Sequence, residues 1–161
     1  MNCKQRLEEF LVANGVGFEE ERHRLAYTAQ DLAAAEHVSG KRVAKVVVAF
    51  VGRDLAMLVL SASSSVNIEK LKGELGVEDV RLAREAEFAT EFPDCEVGAM
   101  PPFGNLYGLP TYVDQALASA QEITFSAGSH TEAMRISYYD YERLVQPRII
   151  DFAAKSRELV S

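Results

Sequence analysis

A single lysine inside a run of valines is the first residue whose type and position could do chemistry. Lys45 lies within residues 42–51, a segment whose valines predict a buried strand. Lysine is rarely fully buried without a partner, so its ammonium must reach water, an acid or a ligand. In a cleft it could bind a carboxylate or phosphate, or stabilise a developing oxyanion. The alternative is that Lys45 lies near the strand start and extends to solvent.

The second candidate is the turn-forming segment of residues 97–104, which reads VGAMPPFG. Gly98 and Gly104 can adopt backbone angles that are closed to other residues, while Pro101 and Pro102 fix theirs. This composition predicts a stiff loop whose peptide N–H groups are held in place. Stiff loops carried on a sheet are common positions for binding and catalysis, although a rigid connector would have the same composition.

A third segment, residues 126–131, offers hydroxyls, a glycine and one imidazole. His130 could bind a substrate, or it could be an exposed turn histidine. A serine–histidine hydrolase needs an acid partner and a strained nucleophile turn, and the sequence contains no GxSxG motif. It also contains no Walker A motif and no Rossmann fingerprint. The absence of these motifs argues against a triad hydrolase and against the common nucleotide-binding classes.

The two cysteines do not form a recognisable metal or redox motif. Cys3 and Cys95 lack CxxC spacing and have no nearby histidine, and His23 and His37 are not at metal-ligand spacing. We therefore expect no metal site, and we expect no disulfide in a cytoplasmic protein. Cys95 precedes the 97–104 segment, so it is either a nucleophile or a loop thiol without a chemical role.

Length and charge bound the class of protein. The 161 residues, 48% of them hydrophobic, predict one domain over residues 1–161 with a sizeable core. The longest apolar run, residues 46–51, is too short to span a membrane, and the N-terminus lacks an apolar signal core. We therefore predict a cytoplasmic protein with no membrane partner. The formal net charge of −7 disfavours a broad nucleic-acid face and leaves room for a small basic site.

Helices and strands that interleave without strict βαβ order must position these segments. Hydrophobic periodicity and capping residues predict helices over residues 4–14, 28–37, 67–75, 83–92, 141–146 and 147–159. Strands are predicted over residues 18–24, 42–51, 55–60, 80–82, 111–113, 122–125 and 133–136. The tight turn between residues 51 and 55 predicts an antiparallel hairpin. Together these elements predict a mixed sheet wrapped by helices.

Taken in order, these segments resemble the YbaK-type aminoacyl-tRNA deacylase family, which includes the editing domain inserted in bacterial prolyl-tRNA synthetases. The matching pieces are the helix of residues 28–37, SGKRVAK at 39–45, VNIEKL at 66–71, GAMPPFG with the family's GxxxP motif at 98–104, LPTYVD at 109–114, ITFSAGSH at 123–130 and DYERL at 140–144. GxxxP alone is a weak motif, but the ordered set with a lone strand lysine upstream is fairly specific. The resemblance covers residues 28–147.

The resemblance implies a mixed α/β fold with a barrel-like sheet surrounded by helices. It implies an enzyme acting in trans that hydrolyses the ester joining a wrong small amino acid, such as alanine, cysteine, serine or threonine, to tRNA. It implies no metal and no organic cofactor. The implied partners are the acceptor end of aminoacyl-tRNA and an aminoacyl-tRNA synthetase. The alternative is a non-catalytic module of the same fold that recognises an aminoacyl-tRNA end, a nucleotide or a synthetase.

The resemblance also implies a site. The family lysine corresponds to Lys45 and the GxxxP loop to residues 98–102, so Lys45 and Gly98 are the expected catalytic residues, pointing into a shared pocket. In such enzymes the loop backbone positions the ester, and a water attacks it with help from the terminal ribose hydroxyl of the tRNA. The expected substrate-binding residues are Ala99, Met100, Pro101, Pro102, Phe103, Gly128, Ser129 and His130.

Overall fold

The computed structural model describes residues 2–155, in which helices and strands interleave. The helices are α1 (Cys3–Ala13), α2 (Ala29–Ala35), α3 (Ile68–Leu75), α4 (Glu85–Phe88), α5 (Gln115–Ala118) and α6 (Tyr138–Val145). The strands are β1 (Glu19–Arg22), β2 (Ala44–Val51), β3 (Asp54–Ser61), β4 (Ser64–Val66), β5 (Val80–Leu82), β6 (Thr111–Asp114), β7 (Glu122–Ser126), β8 (Glu132–Ser137), β9 (Arg148–Ile150) and β10 (Ala153–Lys155). Within the described residues, no helix is both long enough and apolar enough to cross a membrane.

The strands form a mixed, barrel-like arrangement. A five-stranded sheet has the order β5-β2-β3-β6-β9, in which β2 and β3 form an antiparallel hairpin while β6 and β9 join in parallel. A three-stranded sheet has the order β1-β8-β7, and β10 pairs with β4. An isolated parallel bridge between Val43 and Thr124 links the start of β2 to β7. The sheets therefore curve around a shared core without closing, which confirms the predicted mixed α/β class.

The β2–β3 hairpin is buried on both faces, and each face contacts a different cluster. Ala44 and Val48 pack in a cluster that contains Phe103, on what we call the loop-side face. Ala49 packs in a cluster that contains Leu71 of α3, on what we call the α3-side face. Because side chains alternate along a strand, each residue of β2 belongs to one face or the other.

Helix ends follow the capping residues that the sequence predicted. The Thr28 hydroxyl accepts a hydrogen bond from the Asp31 N–H at 3.0 Å, and the Asn67 side chain accepts one from the Lys70 N–H at 3.1 Å. Gly76 ends α3 in the left-handed conformation, with φ of +66°. These caps satisfy backbone groups that have no partner inside the helix, which is why short polar side chains and glycine mark the ends.

The predicted helix over residues 147–159 is wrong in the part that the structure describes. Gln146 ends α6 with φ of +51°, and the chain then forms β9 parallel to β6 and β10 antiparallel to β4. The β-branched Ile149 and Ile150 suit a strand that has a partner. Residues 156–159 lie outside the described residues. The predicted helix over residues 83–92 reduces to α4 followed by a 3₁₀ turn, and β4 and α5 were not predicted.

The expectation of unpaired cysteines is also wrong. Cys3, at the first position of α1, forms a disulfide with Cys95 across a sequence separation of 92 residues. The Cys3 N–H donates to the Asp94 carbonyl at 3.1 Å, and Arg6 forms an ion pair with the Asp94 carboxylate at 3.1 Å. The N-terminal helix is therefore tied to the segment that leads into residues 97–104.

Candidate functional site

Residues 97–104 and residues 126–131 form two loops that hold each other in place. The Gly128 N–H donates to the Ala99 carbonyl at 2.9 Å, and the Glu96 N–H donates to the Gly128 carbonyl at 2.9 Å. The buried Tyr141 hydroxyl also donates to the Pro102 carbonyl at 2.7 Å. We call this unit the loop pair. Hydrogen bonds between the two loops, together with the one from Tyr141, fix the backbone conformation of the loop pair.

Both loops contain a glycine that no other residue could replace without strain. Gly98 has φ of +87° and Gly128 has φ of +98°, in the left-handed region that favours glycine. A Cβ on Gly98 would lie 3.4 Å from His130 Cε1, and a Cβ on Gly128 would lie 2.9 Å from Cys3 Cβ. The loops therefore approach each other, and the disulfide packs directly against the second loop.

Gly98 presents its backbone to solvent, whereas the residues that follow it do not. Its N–H donates to the Met100 thioether sulfur at 3.3 Å, and a thioether is a weak acceptor. The predicted substrate-binding residues of this loop are all buried: Ala99, Met100, Pro101, Pro102 and Phe103. The loop can therefore offer a ligand the Gly98 backbone, while those side chains fill the core beneath it.

His130 joins three segments and is not the exposed turn histidine that the sequence left open. Its side chain is only 11% exposed. Nε2 lies 3.0 Å from the Val97 carbonyl, Nδ1 lies 3.3 Å from the Ala26 carbonyl, and the Tyr27 ring packs at 5.0 Å between centroids. Glu96 Oε2 lies 3.8 Å from Nε2. The imidazole is therefore positioned by backbone carbonyls of two other segments.

Among the residues predicted on the second loop, Ser129 contributes a half-buried hydroxyl. Ser129 Oγ lies 3.4 Å from the Thr131 hydroxyl and accepts the Thr131 N–H at 3.4 Å, while Gly128 is buried. Of the three residues predicted on this loop, Ser129 and His130 thus carry polar groups, and Gly128 provides only close backbone contact.

Lys45 lies on the other side of the hairpin from the loop pair. It pairs with Leu60 across the strands, on the α3-side face, and its ammonium donates to the Ser64 carbonyl at 2.5 Å. Burial lowers the pKa of Lys45, because a half-desolvated ammonium is less stable than one in water. Met100 and Phe103 pack in the cluster of the loop-side face. The Lys45 side chain therefore leaves β2 on the face opposite Met100 and Phe103, and the pocket that it was expected to share with the 97–104 loop stays a prediction.

Near the disulfide, three residues with potential metal-ligand atoms lie close together, and the sequence did not indicate this cluster. Among the described residues, Cys3, Asp94 and Cys95 place their ligand atoms within 4.8 Å of one another. Both sulfurs are engaged in the disulfide, which leaves one carboxylate as a ligand. The Tyr107 hydroxyl lies 3.3 and 3.1 Å from the sulfurs, and burial, together with the charge of Asp94, raises the pKa of Tyr107 to about 12.

A polar cavity of about 930 Å³ at the ends of the parallel strands was also missed. Ser61 ends β3 and Asp114 ends β6, and both line it. The signal for this cavity in the sequence was the serine-rich segment at residues 61–65. Such a segment does not predict a ligand site until the strand order is known.

Comparison with known sequences identifies related proteins. The sequence model of the aminoacyl-tRNA editing domain family matches residues 23–144. The multifunctional Ser/Thr-tRNA deacylase ProXp-y of Escherichia coli (strain K12) is 30% identical over 97 residues, which cover 60% of this chain and 58% of that protein. The chain therefore spans less than two thirds of the length of this curated relative.

Comparison with solved structures identifies the fold. A hypothetical protein superposes with a TM-score of 0.83 at 21% identity, covering 92% of this chain and 99% of its own. A candidate trans-editing enzyme for prolyl tRNA synthetase superposes with a TM-score of 0.80 at 20% identity, covering 94% and 97%. At such low identity these similarities show a shared fold, in agreement with the predicted barrel-like architecture.

Proposed function

The chain belongs to the aminoacyl-tRNA editing domain family, as its sequence predicted, and from this premise we propose that it is a trans-editing hydrolase of mischarged tRNA. Water is added across the ester bond, which releases the free amino acid and a tRNA with a free terminal ribose hydroxyl. Serine and threonine esters, the substrates named for the E. coli relative, are the first candidates, followed by alanine and cysteine esters. The proposed partners are the acceptor end of aminoacyl-tRNA and an aminoacyl-tRNA synthetase.

The observation that carries this proposal is the exposed Gly98 backbone in the loop pair. A carbonyl oxygen gains negative charge when water attacks it, and a fixed N–H stabilises that charge most when it does not have to move. The Gly98 N–H is held by neighbouring backbone bonds and donates only to a weak thioether acceptor. A substrate oxygen would replace the sulfur as the better acceptor.

The proposed base is not a protein side chain. His130 is engaged by two backbone carbonyls, and the half-buried Ser129 hydroxyl is bonded to Thr131. A serine–histidine relay would need these two side chains to contact each other in a nucleophile–base pair. Hydrolysis by a water molecule, with the terminal ribose hydroxyl of the tRNA accepting or relaying the proton, needs neither.

Lys45 is proposed to hold the polar end of the ligand. Its ammonium has three N–H donors, of which one is directed at Ser64. Val43, two residues earlier, bridges Thr124 in parallel, so β2 starts beside the strand that leads into the second loop. To contact an ester bound at the loop pair, the flexible lysine side chain would have to leave Ser64.

Single-turnover hydrolysis of a panel of mischarged tRNAs tests the proposal. The panel carries serine, threonine, alanine and cysteine esters and includes tRNA for proline. We expect the wild-type protein to hydrolyse at least one ester and Lys45→Ala to hydrolyse it more slowly, with Lys72→Ala, a partly exposed lysine paired with Glu69, as the control. If the wild-type protein binds these tRNAs but hydrolyses none, the binding-module alternative replaces the enzyme. If Lys45→Ala keeps the wild-type rate, Lys45 is structural.

A further inference from the structure

The cavity of about 930 Å³ opens where three parallel strands end. Ser61 ends β3, Asp114 ends β6, and Asp151 directly follows β9. In open sheets of α and β elements, ligands commonly bind in the crevice beyond the carboxyl ends of parallel strands. The opposite wall is formed by β4 and β10, which pair with each other. The cavity thus has the position of a ligand site, and it is separate from the loop pair.

A cluster of serine hydroxyls lines one side of this cavity. Ser61 Oγ lies 3.2 Å from Ser63 Oγ and 3.1 Å from Ser64 Oγ, and Ser61 is 7% exposed. Each hydroxyl can donate one hydrogen bond and accept two, so hydroxyls bonded to one another still have capacity for a ligand oxygen. Such a cluster matches the hydroxyls of a sugar.

Two lysines supply positive charge at the same cavity. Lys41 is exposed and has no acidic partner among residues 2–155. Lys70 donates to the Ala153 carbonyl at 3.1 Å and pairs with Asp151 at 3.5 Å, which leaves one of its three N–H groups for a ligand. Arg42, exposed next to Lys41, also lacks an acidic partner within the described range. Lys41 and its neighbour Arg42 therefore provide two cations without a described acidic partner at this cavity, although the chain as a whole is acidic.

The two acids in the cavity wall, Asp114 and Asp151, have partners of their own. Both oxygens of Asp114 are turned to the backbone, accepting the N–H groups of Phe152 and Ala153 at 3.0 Å and that of Ala116 at 3.1 Å. Asp151 is the partner of Lys70. Beneath the wall, the Lys45 ammonium donates to the carbonyl of Ser64 and adds a further positive charge.

We propose that this cavity binds one ribonucleotide unit, with its phosphate on Lys41 and Lys70 and its ribose hydroxyls on the serine cluster. A phosphate suits two ammonium groups, and the 2′-hydroxyl is what distinguishes RNA from DNA. The unit is a nucleotide of an RNA strand or a free nucleotide. In the first case the inference rests on the proposed function, because the strand is that of the aminoacyl-tRNA.

Binding of two probes to the full chain tests this inference without hydrolysis. The probes are uncharged tRNA and AMP, measured at several salt concentrations with the wild-type protein, Lys41→Ala and the control Lys72→Ala. We expect Lys41→Ala to bind tRNA more weakly and its log affinity against log salt to lose about one unit of slope. Between about 50 and 200 mM salt, this change corresponds to about a fourfold change in the affinity ratio. Lys72→Ala should bind as the wild-type protein does.

The serine cluster is tested separately through the ribose. We expect Ser64→Ala to reduce the preference for AMP over 2′-deoxy-AMP, while melting at the wild-type temperature. If Lys41→Ala weakens only AMP binding, the cavity takes a free nucleotide. If Lys41→Ala binds both probes as the wild-type protein does at every salt concentration, the inference is overturned. Neither result depends on hydrolysis, so this inference and the proposed function can fail independently.

Discussion

The loop pair and the serine-lined cavity are built from different chemical groups. In the loop pair the polar groups are mainly backbone N–H and carbonyl groups that are already bonded, around two glycines with positive φ. In the cavity they are hydroxyl and ammonium groups of side chains, with bonding capacity left over. The first arrangement suits the fixed positioning of a reacting group, and the second suits holding a flexible, charged ligand. Substitutions should accordingly have large, steric effects in one region and smaller, salt-dependent effects in the other.

The largest effect should come from the disulfide that packs against the loop pair. Cys3 and Cys95 close a segment with a sequence separation of 92 residues, and a cross-link of that span stabilises a fold by roughly 4–5 kcal/mol in the chain-entropy model. We expect reductant to lower the melting temperature strongly and to slow hydrolysis, while binding of uncharged tRNA persists below the transition. The double variant Cys3→Ser with Cys95→Ser is the control, since reductant should not change its melting. Equal melting of the wild-type protein with and without reductant would contradict this prediction.

Substitution of Gly98 should have the next largest effect, on hydrolysis more than on stability. Gly98→Ala places a Cβ at φ of +87° and 3.4 Å from His130, which displaces the N–H that we propose to contact the ester oxygen. Loss of one such donor typically lowers the rate by about 10²–10³-fold. Single-turnover hydrolysis and thermal melting measure the two effects.

Gly73 provides the matched control for Gly98. It lies inside α3, and an added Cβ would meet nothing within 4 Å. Gly73→Ala should therefore leave hydrolysis unchanged and stabilise the helix by roughly 0.5–1 kcal/mol. If Gly98→Ala hydrolysed the ester at the wild-type rate, the loop pair would have no part in the reaction.

Asp114 is the residue on which the shape of the cavity depends. Its carboxylate accepts three backbone N–H groups, and Asp114→Asn replaces one acceptor by a donor that faces an N–H. We expect a loss of about 1–3 kcal/mol in the free energy of unfolding, measured with urea. Asp151→Asn, which removes only the partly exposed pair with Lys70, should cost less than about 1 kcal/mol. Similar losses in both variants would mean that the three hydrogen bonds of Asp114 carry little weight.

These differences also explain what the sequence could predict. The β2–β3 hairpin and the caps at Thr28 and Asn67 depend on neighbouring residues, and the local pattern predicted them correctly. The Cys3–Cys95 bond and the pairing of β9 with β6 join distant segments, for which no local pattern exists. The serine cavity arises only when the ends of separate strands are brought together.

Lys45 is the intermediate case. The valine run correctly predicted a strand that is buried on both faces, and for that reason it could not indicate to which face the lysine points. An alternating strand would have shown the polar side directly. The family resemblance named the residue without fixing its orientation, so the pocket shared with the 97–104 loop stays a prediction.

The smallest expected effect, on stability and its pH dependence, comes from Lys45 itself. Burial lowers the pKa of Lys45 in the folded state below its unfolded value, so the unfolded chain binds more protons in the interval between the two. Stability then rises as the pH increases through that interval, because the folded state no longer has to hold the half-buried charge. Lys45→Met keeps the unbranched stem and removes the charge, so it should be at least as stable as the wild-type protein at pH 7. The difference in the free energy of unfolding between Lys45→Met and the wild-type protein should shrink as the pH approaches the pKa of lysine in the unfolded chain, about 10.5. Urea unfolding across this pH range would measure it. A variant that is less stable by the same amount at every pH would show that the hydrogen bond to Ser64 outweighs desolvation. A stable variant that no longer hydrolyses the ester would show that the charge is kept for the reaction at a cost in stability.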